Sequence, residues 1–345
     1  MLSLLACAPA DPTEIFVAPD ATGPYGAVTW ADSAGDLTVQ VWAPTEDPRG
    51  TFGVEYDELL SGEAWSQGDL ACEQPRPVVM FSHGNSGARW QSFFVTEDLA
   101  EHGAVVVAPD HTHNTFFDYD DDQTAQVALD RPRQIAESFD WLLAESADPE
   151  SRLHGCVASD AGYLALGHSF GGWTVVALSG ARFDAEGMRT WCEGNSYLLC
   201  GAEQLVTDDV IDLSDERVDA VVSLTPAGAV TFGPYLEEAD RPSLIVGGSA
   251  DETTPYATET LPMFEGLPDA DLATLVGAGH FSFTEICALP IQDFDGCTED
   301  FLPIEDAHRI TTVLTLAWLK RWQGFTEAEG WLPFDDADLE WISGG

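Results

Sequence analysis

The sequence predicts an α/β domain: a mostly parallel central sheet with helices on both faces. Two observations carry this. Short runs of apolar, β-branched residues alternate with longer stretches of helical spacing through most of the 345 residues. Such alternation implies right-handed crossovers between neighbouring parallel strands. In addition, 45% of the residues are hydrophobic and 10% aromatic, which is enough to fill a core of that size. No internal repeat interrupts the pattern.

The elements follow in order. Met1-Leu2-Ser3-Leu4-Leu5-Ala6-Cys7 looks like the tail of a bacterial lipoprotein signal, with Cys7 as the lipidated residue. The Pro/Ala/Asp-rich residues 8–24 read as a tether, and the folded domain is expected over 25–325. Val28–Trp30 and Leu37–Trp42 flank Ala34-Gly35-Asp36 as an entry hairpin. Buried strands are predicted at Pro77–Ser82, Ala104–Pro109, Tyr163–Gly167, Val218–Leu224, Ser243–Gly247 and Asp271–Val276. Helices are predicted at Gly87–His102, Arg131–Ala147, Gly171–Ser179 and Tyr256–Leu267, with Ile304–Trp322 as an amphipathic closing helix. Residues 181–216 break the rhythm and are expected to form an insertion, or lid, over the carboxyl edge of the sheet. The tail over 326–345 is acidic and aromatic, and no function follows from it.

Charge narrows the partners. The chain holds 60 Asp and Glu against 13 Lys and Arg, a formal net charge of −47, and Lys320 is its one lysine. Such a surface repels nucleic acid and anionic membranes. It reads as a solvated coat tuned to a salty environment, which added salt should stabilise. No apolar run is long enough to span a bilayer.

The cysteines point to a compartment. With Cys7 set aside, six remain, an even number that suits an oxidising, extracytoplasmic location. Cys192 with Cys200, and Cys287 with Cys297, each close a local loop. Cys72 and Cys156 each precede an apolar strand by a similar number of residues, so neighbouring parallel strands would bring them side by side. None shows CxxC spacing, which argues against zinc.

Gly167-His168-Ser169-Phe170-Gly171 is the strongest chemical signal. It lies between a buried strand and a helix, the context in which G-x-S-x-G forms a nucleophile elbow. The glycines let two backbones close on a strained turn, and the turn exposes a hydroxyl that needs a base to become nucleophilic. An acid and a base should follow in that order on later strand tips. Asp251 ends Ser243-Leu244-Ile245-Val246-Gly247-Gly248-Ser249-Ala250, and His280 ends Val276-Gly277-Ala278-Gly279. Asp110, at an earlier strand tip, is the rival acid.

A serine hydrolase also needs oxyanion donors, expected from the amides of Phe170 and Asn85. Asn85 lies in Phe81-Ser82-His83-Gly84-Asn85-Ser86-Gly87, where the glycines let the loop turn back. His83 reads as a prop for that loop. Ser86, His111 and Trp173 are candidates for the substrate pocket. His111-Thr112-His113 and the acidic run Asp118–Asp122 lack metal-site spacing, so neither a metal nor another cofactor is expected.

These motifs resemble the bacterial dienelactone-hydrolase-like esterases related to platelet-activating factor acetylhydrolase. The resemblance rests on Phe81-Ser82-His83-Gly84, Gly167–Gly172, the Gly247–Pro255 stretch and Gly279-His280-Phe281, and it runs from about Tyr25 to Trp322. It implies the α/β-hydrolase fold and metal-independent hydrolysis of short acyl esters, with Ser169, Asp251 and His280 as triad. Relatives often carry an apolar residue where Asn85 stands. Strict dienelactone hydrolases use a cysteine nucleophile, and Ser169 argues against that activity. The expected substrate is a small or polymeric ester, and the chain is expected to act as a monomer. Polyester hydrolase, phospholipid deacylase and amidase are the enzymatic alternatives, and a catalytically dead binding protein is the non-enzymatic one. A haloalkane-type member of the fold would want aspartate at position 169.

Overall fold

The computed structural model describes residues 23–46, 53–290, 294–322, 332 and 336–344. Cys7, the tether up to residue 22 and half of the acidic tail lie outside the described residues. Strands β1 (Gly26–Ala34), β2 (Leu37–Thr45), β3 (Gly53–Tyr56) and β4 (Leu60–Trp65) come first. Then β5 (Val78–Ser82), α1 (Phe93–Glu101), β6 (Val105–Pro109), α2 (Thr124–Ala147), β7 (Tyr163–His168) and α3 (Phe170–Leu178) alternate. The short β8 (Phe183–Asp184), α4 (Ala185–Trp191) and β9 (Val210–Ile211) follow. The chain closes through β10 (Val218–Leu224), β11 (Ser243–Gly248), α5 (Thr260–Gly266), β12 (Ala270–Leu275), α6 (Ile304–Trp322) and β13 (Leu339–Ile342).

Among the described residues one eleven-stranded sheet runs in the order β13-β12-β11-β10-β7-β5-β6-β2-β1-β4-β3. The six strands from β12 to β6 are parallel, while β2 and β13 pair antiparallel on either side of them. This is a mixed α/β architecture on a mostly parallel core. The central strands are apolar throughout because both faces are covered. Successive side chains serve opposite faces: Val78 and Met80 pack with α2 and α3, whereas Val79 and Phe81 pack with α1 and α6.

Several boundaries differ from the sequence reading for local reasons. The helix expected from Gly87 begins at Phe93, because the preceding residues form turns such as Gln91 N–H to the Ala88 carbonyl at 2.9 Å. Helix α2 begins at Thr124 and carries Pro132 inside it. The proline removes one helical donor but is absorbed mid-helix. The β3–β4 hairpin and edge strand β13 escape notice because their exposed positions dilute the apolar signal. The insertion over 181–216 packs its Phe183, Met188, Leu199 and Ala202 into the core shared with α2 and α3.

Three disulfides join Cys72 to Cys156, Cys192 to Cys200 and Cys287 to Cys297, the pairs expected from sequence. The first links the approaches to β5 and β7, which are parallel neighbours. The three bridges fit an oxidising, extracytoplasmic environment. No helix among the described residues is long and apolar enough to cross a membrane.

Candidate active site

Ser169 sits between β7 and α3 with φ 59° and ψ −117°, a conformation that costs on the order of 1–3 kcal/mol. The surroundings hold it there. Its amide donates to the Leu224 carbonyl at 2.9 Å, and its carbonyl accepts from Ala227 N at 3.2 Å and Trp173 N at 3.1 Å. A side chain on Gly171 would overlap the Ser82 carbonyl, and one on Gly167 would overlap Gly171, so only glycine lets these backbones meet. Three further non-glycine residues with positive φ follow the carboxyl ends of neighbouring strands: Ser86 after β5, His113 after β6 and Thr225 after β10. Backbone strain is therefore concentrated along the edge that carries Ser169.

Asp251 follows β11 and His280 follows β12, which puts both on this edge. The Asp251 carboxylate accepts from His280 Nδ1 at 2.9 Å. It also accepts the Thr254 hydroxyl at 2.9 Å, the amides of Thr253 and Thr254 at 2.9 and 2.7 Å, and the Thr225 hydroxyl. Burial pushes the carboxyl up, but the His280 contact and these donors outweigh it and hold it below the usual aspartate range. Asp295 fastens both loops: Oδ2 accepts from Glu252 N at 2.6 Å and Thr253 N at 2.9 Å, and its carbonyl accepts from Phe281 N at 2.8 Å. It lies within the loop closed by Cys287–Cys297.

A second network joins the residue before Ser169 to the loop after β5. Buried His168 donates from Nε2 to the His280 carbonyl at 3.0 Å and accepts at Nδ1 from Gln91 Nε2 at 2.9 Å. Burial, followed by the nearby His280, lowers its pKa to about 3, so the ring is neutral and this tautomer is fixed. Gln91 Oε1 in turn accepts from Gly84 N at 3.0 Å. His83 props the loop as expected. Its Nε2 accepts from His111 N at 3.1 Å, and its Nδ1 donates to the Gly84 carbonyl at 2.7 Å. That bond polarises the Gly84–Asn85 peptide and sharpens its N–H as a donor. Among the described residues, neither the Asn85 amide nor the Phe170 amide donates to another protein group. The Asn85 side chain is turned to scaffolding, with Oδ1 accepting from Asn114 Nδ2 at 2.8 Å.

Of the three pocket candidates, only Ser86 lines the apolar groove beside Asn85. His111 is fully buried, with Ser82 on Nε2 and Gln134 on Nδ1, so neither ring nitrogen is open to a ligand or metal. Trp173 is also fully buried, donates to Thr231 Oγ1 at 2.7 Å and stacks on Phe232. Both belong to the interior because their side chains point into the α2–α3 face. Asp110 is engaged by the Arg89 amide and guanidinium at 2.8 and 2.7 Å, and so is not the partner of His280. Asp118 caps a turn by accepting His113 N and Thr115 N.

The groove is walled by Leu59, Trp90, Phe116 and Ile286, with Phe281 beside His280. Among the described residues no insertion side chain reaches it. The insertion is tied down elsewhere: Tyr197 donates to Glu259 at 2.9 Å, and Gly228 N donates to both, at 2.7 and 2.8 Å. Gln91, Thr225 and Asp295 carry no sequence signal of their own, and Thr254 is marked only as part of the Gly247–Pro255 stretch. A Gly-rich strand tip marks a candidate nucleophile, acid or base, whereas these residues are recognisable only from what they touch.

A scan against protein-family models finds no match, and no curated protein is similar enough to count as a relative.

Proposed function

We propose that this chain is a serine carboxylic-ester hydrolase of the α/β-hydrolase fold, acting through an acyl-enzyme. The observation that supports it best is the strained Ser169 turn on the same sheet edge as the His280–Asp251 pair. In this reading His280 takes the Ser169 proton as Oγ attacks the acyl carbonyl. The developing oxyanion is received by the Asn85 and Phe170 amides. His280 then protonates the departing alkoxide, and water attacks the acyl-enzyme by the same route in reverse. Asp251 holds the imidazole tautomer and balances the imidazolium. The groove takes an apolar portion of the ester, with a short acyl chain, and the protein works outside the cytoplasm, lipid-anchored at Cys7 or secreted.

A polymeric ester is the second reading. It is favoured by the exposed aromatic rim of Phe116, Phe117 and Tyr119, at 52%, 56% and 39% exposure, which would suit a surface-borne substrate. Fluorophosphonate labelling followed by peptide mapping tests the chemistry: the account requires stoichiometric modification of Ser169. Unmodified Ser169 in folded protein would overturn it. Comparing a soluble p-nitrophenyl ester with an aliphatic polyester film then chooses between the two substrates.

A further inference from the structure

Arg131 of α2 is fully buried and forms no ion pair among the described residues. Its guanidinium is bonded only to neutral groups. Nε donates to Thr174 Oγ1 at 3.1 Å, NH1 to Asn114 Oδ1 at 2.5 Å, and NH2 to Ser82 Oγ at 3.1 Å and to the His83 carbonyl. The Phe170 ring lies 4.5 Å from the guanidinium carbon. These contacts divide into two sets. His83, and Asn114 with the Asn85 side chain that it holds, belong to the loop after β5 and its support. Phe170 and Thr174 belong to the start of α3.

We propose that Arg131 is a positioning residue that locks the Asn85 and Phe170 amides into one oxyanion hole and supplies an uncompensated buried positive charge behind it. This rests on the esterase reading. An arginine stays protonated even when burial opposes its charge. Burying it without a carboxylate costs several kcal/mol, a cost that Met or Leu at this position would not carry. The charge can be of use where negative charge develops during turnover. A neutral bound ester gains little from a nearby monopole, and the tetrahedral oxyanion gains much more, so the effect belongs to kcat and not to KM. The buried histidines respond to the same cation: burial first, and then Arg131, hold His83 and His111 well below the usual histidine range. Both rings thus stay neutral and fixed, and neither competes with the oxyanion hole as a second charge.

Three variants of the full chain separate charge from packing. Arg131→Met removes the cation, Arg131→Lys keeps it with fewer donors, and Asn114→Asp places a carboxylate against it. Asn85 can accommodate the carboxylate introduced by Asn114→Asp by rotating its amide so that Nδ2 donates. Each variant is assayed with p-nitrophenyl butyrate, titrated with a fluorophosphonate for folded sites, and tested for inhibition by a trifluoromethyl ketone that forms an anionic adduct. Asn114→Asp should keep or raise the melting temperature while kcat falls about 30-fold at unchanged KM, a fall within the range for losing oxyanion stabilisation. Ketone affinity should fall in parallel, and Arg131→Lys should retain more activity than Arg131→Met. The proposal is overturned if Asn114→Asp keeps wild-type kcat and ketone affinity, or if Lys and Met lose activity equally. If Arg131→Met does not fold, Asn114→Asp alone decides. A wild-type protein without turnover or labelling at Ser169 would instead sink the esterase reading.

Discussion

The Thr225 hydroxyl donates to the Asp251 carboxylate from a backbone with φ 41°, just beyond the end of β10. A β-branched residue pays for that conformation in strain, and the structure holds it where its side chain meets the carboxylate. Thr225→Ala should leave the fold intact and lower kcat about 10-fold, since a hydrogen bond to a charged group contributes about 1.5–3 kcal/mol, only part of it expressed in turnover. Thr225→Ser should restore most of the rate. Steady-state kinetics of the two variants check this, and equal losses would show that the hydroxyl is irrelevant.

Gln91 couples the loop after β5 to the histidine beside Ser169, because one amide group serves Gly84 N and His168 Nδ1. Gln91→Met leaves both without partners and should destabilise by about 1–3 kcal/mol. Gln91→Glu keeps the acceptor for Gly84 but faces His168 Nδ1 with a carboxylate in place of a donor, which favours the tautomer whose proton has moved from Nε2 to Nδ1 and so lacks the donor that holds the His280 carbonyl. Urea melts should rank Gln91→Met as destabilised, and kinetics should show both variants slowed. Wild-type rates in Gln91→Glu would uncouple His168 from the site.

Glu97 gives a pH dependence with a definite sign. Burial pushes its carboxyl from 4.5 up to about 7, against donors from Tyr56 and the Glu63 amide. The folded state therefore holds this proton more tightly than the unfolded state. The stability it confers is complete below pH 4.5 and lost as pH rises towards 7. The buried histidines act in the opposite sense. His308, lowered to about 4, contributes stability above its ordinary 6.5 that is lost as pH falls. A single substitution separates the two: relative to wild type, Glu97→Gln should gain on the order of 2–3 kcal/mol between pH 4.5 and pH 8. Urea midpoints at several pH values check it, and parallel curves for the two proteins would contradict it.

The disulfides should divide between stability and activity. Cys72–Cys156 spans 84 residues and Cys287–Cys297 spans 10. Loop-closure entropy alone assigns them about 4.5 and about 3 kcal/mol. Replacing both cysteines of the first pair by alanine should therefore lower the melting temperature more. Replacing the second pair should slow turnover more, because that loop carries Asp295, which holds the turns of Asp251 and His280. Calorimetry beside p-nitrophenyl ester kinetics checks the crossover.

Much of the architecture was readable because strands buried on both faces leave continuous apolar runs, as Val105–Pro109 and Ser243–Gly248 do. The candidate triad was readable because Ser169, Asp251 and His280 each follow such a run at a glycine-rich turn. Arg131 was not, since an arginine in a helical stretch looks like solvated surface, as its neighbour Arg133 is, until the fold buries it. His111 and Trp173 were misplaced for a related reason. Nearness in sequence to a strand tip does not say whether a side chain faces the groove or the α2–α3 interior. Leu59 of the groove wall stayed hidden with the β3–β4 hairpin, whose alternation of buried and exposed residues is too short to stand out.

The most direct test of the central claim is hydrolysis of p-nitrophenyl acetate, butyrate and octanoate by the purified protein in salt and EDTA, beside Ser169→Ala. The account predicts turnover by the wild type, strongest on the shorter acyl chains, and loss of at least about 1,000-fold in the variant. Equal rates in the two proteins, or a folded wild type that hydrolyses none of the three, would contradict it.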